Sequence, residues 1–237
     1  MGPNLAATLQ HWIASQDSPA SAAWFASACA IARQPHSTPA FLTHFAAAGR
    51  RLGTQHLEFS SDIGDIAPKV PPPPTRSAIA PEFQSRRWPI AEAGRVTLLV
   101  LHAKSIAPDR HWELVSDMYY RGTLEERQAV SRTLPYLPEP ARFLIVAVDA
   151  VRSNASAEFS AIAAHNPYPG AHFDDAAFSQ MTLKALTMGV PLADIMQLPE
   201  RRTTELDRML KSYASERSSA GRPIPDDIQW LARQRRR

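Results

Sequence analysis

Apolar residues recur along this chain at intervals of three and four almost from end to end, and that period predicts helices. Leu5, Leu9, Trp12 and Ile13 make a first apolar face, with Asn4 placed to cap it. Ser18-Pro19 predicts the start of a second helix, because a proline in the first turn gives up an N–H that has no partner there. Ala22, Phe25, Cys29 and Ala32 form its inward side. Thr38-Pro39 repeats the device before Phe41, Leu42 and Phe45.

The helical period resumes at Ile90, with Val96, Leu99, Val100 and Ala103 on one face of Ala93–Ser105. Asp109 opens the next helix, with Trp112, Val115, Met118 and Tyr119 predicted to face inward. Thr123 and Glu126 have the spacing of a capping box ahead of Val130, Leu134 and Leu137, and Pro135 and Pro138 end that helix. Pro140 opens another, through Phe143 and Val151. Helices follow over residues 155–164 and 174–188, separated by a turn at 166–170. Pro191–Met196 adds a short turn. The last helices cover 203–220, closed by Gly221, and 226–233. No stretch reads as a strand.

Composition agrees: among 237 residues there are 9 glycines and 21 prolines, too few glycines for a chain of tight β-turns. The predicted class is all-α: stacked antiparallel helices in hairpins, repeat-like in size and punctuation, with a proline-rich connector. Residues 1–59 supply N-terminal helices, 60–89 the connector, and 90–237 a helical domain packed with 1–59 as one unit. Pro71–Pro74 favours polyproline II, which serves either as a docking site for a module that reads that shape or as a stiff connector.

Charge narrows the partners only slightly. The net charge is +3, and much of the basic excess sits in Arg233 and Arg235–Arg237. Such a run either grazes phosphates or is a solvated end, so nucleic acid is not the favoured partner. The single cysteine, Cys29, rules out an intrachain disulfide and lies among small apolar residues, as a buried inert thiol does. No basic-then-apolar leader pattern is present, and the longest apolar run, Val96–Ala103, is interrupted by Thr97 and His102 and is too short to cross a bilayer. A cytoplasmic location is expected. His36, His44, His56, His102 and His111 are scattered and read as surface or helix-face residues.

The chemistry concentrates between Ala147 and Gly189. Asp149 and Arg152 share a helix face and can form a partly buried pair, or the arginine fork can hold an anionic ligand. Glu158 and His165 are seven apart, and His172 follows after another seven. With Asp175 they make a weak carboxylate–imidazole candidate for a metal, lacking any close-spaced metal motif. The competing reading is that Asp174 caps a helix while His165, Asn166 and His172 bond within the turn. Gln180 and Lys184 lie one turn apart. Lys184 sits among apolar residues, either as a base or amine nucleophile of lowered pKa or with a packed stem and a wet ammonium. No nucleophile elbow, phosphate loop or dinucleotide fingerprint occurs.

Five segments, YRGTLEERQAVSRTLPYLP (Tyr120–Pro138), AVDAVRSN (Ala147–Asn154), AHNPYPGAHF (Ala164–Phe173), FSQMTLKALTMGVPL (Phe178–Leu192) and YASERSSAGRPIPDDI (Tyr213–Ile228), resemble the EboA-domain family in order and spacing. The resemblance covers roughly residues 112–232; the N-terminal half is similar only in being helical. It departs at Ser179, where the family more often has Asn, and at Thr187, more often aromatic. The resemblance implies a small cytoplasmic helical protein from clusters that also encode a membrane prenyltransferase, a metal-dependent hydrolase-like enzyme and a sugar-isomerase-like enzyme, and that make or export a secondary metabolite. It supplies no catalytic residues.

Two readings remain open. In the first, a non-catalytic accessory protein presents a groove on its Asp149–Lys184 face. That groove holds a small prenylated or polyketide-like metabolite, or docks a pathway enzyme, with peripheral contact to a membrane prenyltransferase. The candidate ligand-binding residues are Asp149, Arg152, Asn154, Glu158, His165, Asn166, Tyr168, His172, Gln180 and Lys184. Arg152, His165, Asn166 and His172 would orient the polar head. In the second, Glu158, His165, His172 and Asp175 serve a metal-dependent or acid–base enzyme. No cofactor is predicted.

Overall fold

The computed structural model describes residues 5–53, 55–57 and 88–234. The cap assigned to Asn4, the polyproline reading of Pro71–Pro74 and the run Arg235–Arg237 lie outside them. Among the described residues there are twelve α-helices and one antiparallel pairing of two-residue strands, so the class is all-α. By contact the chain forms two units, one of described residues up to Val146 and one from Ala147 onward.

The first unit contains α1 (Leu5–Gln16), α2 (Pro19–Ala32), α3 (Thr38–Arg51), α4 (Ile90–Ser105), α5 (Pro108–Arg121) and α6 (Leu124–Thr133). Strands β1 (His56–Leu57) and β2 (Trp88–Pro89) pair with His56 opposite Pro89, a short pairing that the sequence pattern does not announce. The core sits around α4, against which α1, α2, α3 and α6 all pack. That is why α4 is apolar nearly all round and buries polar residues as well. Arg95 donates from Nε to the Phe45 carbonyl at 3.2 Å, and Thr97 donates to the Ala93 carbonyl at 2.8 Å. Glu92 takes a buried ion pair from Arg132 of α6.

Several inward assignments need correction. His102 and His111 are fully buried instead of surface residues. His102 stacks on Phe41 with ring centroids 4.2 Å apart, and its two ring nitrogens meet the Ala32 carbonyl and the Thr38 hydroxyl, each at 3.0 Å. His111 bonds through Nε2 to the Pro138 carbonyl at 3.2 Å, and so takes the inward place predicted for Trp112. Trp112 is exposed, its indole N–H reaching the Arg142 carbonyl at 3.2 Å. Leu42 is likewise exposed, and Ala22 only half-buried, because the buried stripe of α2 runs through Ala28. The capping box is present in both directions: Thr123 N–H donates to Glu126 Oε2 at 2.8 Å, and Glu126 N–H to Thr123 Oγ1 at 3.4 Å. At Pro135 and Pro140 the chain tightens into 3-10 turns, Leu134–Tyr136 and Pro140–Phe143.

Helix α7 (Leu144–Arg152) starts in the first unit and continues into the second. There follow α8 (Ser156–Ala163), α9 (Tyr168–His172), α10 (Asp175–Met188), α11 (Thr204–Ser219) and α12 (Asp226–Arg233). Helices α8 and α11 pack on α10, and α12 packs on the 3-10 turn Leu192–Asp194. Gly189, at φ 70°, closes α10 in the left-handed conformation that glycine adopts without penalty. Among the described residues no helix is long and apolar enough to cross a membrane.

Candidate functional site

Helix α7 ends at Arg152 because Ser153 turns away to serve the next helix. The Ser153 hydroxyl accepts from Ala155 N–H at 3.2 Å and donates to Glu158 Oε2 at 2.7 Å. The carbonyls that α7 leaves open at this end are taken by Lys184. Its Nζ donates to Val151, Arg152 and Ser153 carbonyls at 2.9, 2.9 and 2.8 Å, and lies 5.4 Å from the Phe159 ring centroid. All three ammonium protons are therefore spoken for. Lys184 is neither a poised amine nor a lysine with its head simply in water; it is the C-terminal cap of α7. Partial burial lowers its pKa, while the three carbonyls hold the charged form.

Fastening α7 to α10 in this way leaves a groove of about 450 Å³ beside them. Val148 and Val151 from α7 and Ala176, Ala177 and Met181 from α10 give it apolar walls. Arg152, Asp174, Gln180 and Lys184 supply its polar groups. Asp174 caps α10, accepting from Ala177 N–H at 2.7 Å, as its place before the helix predicts. Arg152 reaches Asp149 Oδ1 from Nη1 at 3.4 Å. The apolar neighbours half-bury only the acid: the Asp149 side chain is 34% exposed, while that of Arg152 is 75% exposed. The buried places on α7 go to Val146, Ala147 and Ala150, which turn the Asp149–Arg152 edge outward. Gln180 is exposed on the groove, and its amide makes no hydrogen bond among the described residues.

The other predicted residues are not gathered there. Asn154 is exposed and does not line the groove. Glu158 is buried under Ser153. The face drawn through Glu158 and His165 does not exist, because α8 stops at Ala163 and His165 takes a left-handed φ of 52° ahead of Asn166-Pro167. His165 is fixed by Asp194 instead, N–H to carbonyl at 2.8 Å and Nε2 to Oδ1 at 3.3 Å. Asn166 organises the turn: its Nδ2 donates to the Ala161 carbonyl and its Oδ1 accepts from Tyr168 N–H, each at 3.0 Å. Tyr168 is buried with its phenol pKa pushed up by burial, and its ring lies 4.5 Å from that of His172. Asp175 pairs with Arg201 at 2.9 Å. Glu158, His165, His172 and Asp175 thus have separate surroundings. Among the described residues no three His, Cys, Asp or Glu side chains come close enough to share a metal.

The sequence reading missed Arg201 and Arg202. Arg201 is buried against the Phe178 ring, donating to the Gly170 and Phe173 carbonyls at 2.6 and 2.9 Å as well as to Asp175. Arg202 holds Asp207 at 2.5 Å and the Leu231 carbonyl at 2.7 Å. Two arginines directly before the capping Thr203 were the available signal. Cys29 is buried as expected, its thiol pushed up to about 12 by burial, well outside nucleophile range.

A family model described as "Metabolite traffic protein EboA" matches residues 5–233, extending through the N-terminal helices that the quoted motifs do not reach. No curated protein and no solved structure matches the chain.

Proposed function

The chain belongs to the EboA family, and from that premise we propose that it is a non-catalytic accessory protein that holds a small amphiphilic metabolite in the groove between α7 and α10. The metabolite is of a prenylated or polyketide-like kind, and the protein acts in the cytoplasm. Its hydrocarbon portion lies along Val148, Val151 and Met181, and its polar end meets Arg152 and Gln180. The observation that carries this reading is the groove itself. Of ten residues singled out as ligand contacts, Arg152, Gln180 and Lys184 line one concave surface with apolar walls. Lys184 is a positioning residue, since its donors are consumed in joining α7 to α10.

The test is equilibrium dialysis with a radiolabelled prenylated phenol, using the whole chain and a Gln180→Trp variant. Gln180 is an exposed helix position, so an indole there fills the groove without entering the core. Saturable retention by the native chain, lost in the variant, is the expected result. No retention, or equal retention by both, overturns the assignment of this groove.

A further inference from the structure

We infer that the polar end of the ligand is an anion, a carboxylate or a phosphate monoester, received by the Arg152 guanidinium. The inference rests on the groove reading above and adds the chemistry of the head group.

Among the described residues three charged side chains line the groove, and two are already committed. Lys184 has given all three protons to main-chain carbonyls. Asp174 has its Oδ1 on the Ala177 N–H at 2.7 Å, which places its charge at the N-terminal end of α10. Arg152 is different. Its one contact among the described residues is from Nη1 to Asp149 Oδ1, long at 3.4 Å, and the side chain is 75% exposed. Nε and Nη2 are left as a parallel pair of donors, the arrangement that meets two oxygens of a carboxylate or phosphate at once. Gln180 on the adjoining α10 adds a neutral amide with donors of its own.

The balance of charge points the same way. The carbonyl end of α7 would repel an anion, but the Lys184 ammonium sits on those carbonyls, and among the described residues no carboxylate is bonded to it. The cation therefore covers the helix end and leaves its positive charge at the groove wall. A cationic head would face Arg152 and Lys184 together. A neutral head would offer the Arg152 fork no more than the water it already meets, whereas an anion offers two charged oxygens. The apolar walls then fit a hydrocarbon chain ending in the anion.

Isothermal titration with decyl phosphate, decanoate, decanol and inorganic phosphate, each below any micelle concentration, separates the cases. Decyl phosphate and decanoate should bind the native chain at least about tenfold tighter than decanol, and Arg152→Gln should remove that preference. Arg152→Lys, which keeps charge but loses the fork, should fall between. Decanol binding as tightly as the two acids, with Arg152→Gln unchanged, overturns the anion and leaves the groove reading standing. No binding by any of the three decyl compounds overturns both. Inorganic phosphate alone binding as tightly as decyl phosphate keeps the anion and removes the hydrocarbon wall from the site.

Discussion

Lys184 of α10 closes the end of α7 by bonding the carbonyl of Arg152 at 2.9 Å, with Val151 and Ser153 on either side. A cation at the carbonyl end of a helix meets both unpaired acceptors and the negative end of the helix dipole. The same device recurs twice nearby. Arg201 takes the Gly170 and Phe173 carbonyls at the end of α9, and Arg202 takes the Leu231 carbonyl at the end of α12. Helices as short as these have little stability of their own, and such caps fix where they stop.

Replacing Lys184 with Met keeps the aliphatic stem and removes the cap. The expected cost is about 1–2 kcal/mol, because the released carbonyls can reach water. Urea unfolding checks it, and loss of ligand retention should accompany the change, since α7 and α10 are no longer joined at the groove.

The Glu92–Arg132 pair lies in the interior of the first unit, with side chains 11% and 6% exposed. Arg132→Met strands a buried carboxylate and should cost about 3–5 kcal/mol. The double change Glu92→Leu with Arg132→Met should recover most of that loss. A double-mutant cycle by urea denaturation reads the difference.

His102, His111 and His172 all have pKa values lowered from 6.5 by burial. The unfolded chain therefore binds more protons than the folded one just below that pH. Stability is full above about 6.5 and falls as pH drops toward the lowered folded values. Urea midpoints measured from pH 7.5 to 5.5 should decline. His102→Gln, which can still meet the Ala32 carbonyl and the Thr38 hydroxyl, should make the decline shallower.

Thr123→Ala removes one half of the capping box and leaves the Glu126 N–H unpaired by side chain. About 1 kcal/mol of stability should be lost, read as a lower melting temperature. Thr123→Ser should retain nearly all of it.

The all-α class was legible because helix period and proline punctuation agree over most of the chain, and α12 follows its predicted bounds; the exception is α9, where the predicted turn at 166–170 runs into a short helix. Asp174 was legible as a cap because capping is a local act, decided within three residues. On α5, Val115, Met118 and Tyr119 are buried as predicted, and only Trp112 gives way to His111, since Trp112 outranks His111 on hydrophobicity while the Pro138 carbonyl decides which ring enters. The cluster from Glu158 to His172 looked like a site because sequence shows proximity but not direction. A helix that stops at Ala163 and a left-handed His165 send those side chains to different partners. Arg201 offered only its place beside Arg202 as a signal, because two of its partners are main-chain carbonyls, which carry no residue code, and the third, Asp175, lies far off in sequence.

The placement of α4 sets an order of events. Helices α1, α2 and α3 are made before α4, yet each rests on that helix, which begins only at Ile90. During synthesis they can pack α1 on α2 and α2 on α3, but the sides that rest on α4 stay open until it is made. A fragment ending before Ile90 should self-associate instead of folding. The emergence of α4 from the ribosome is thus the moment at which the first half of this protein can become compact.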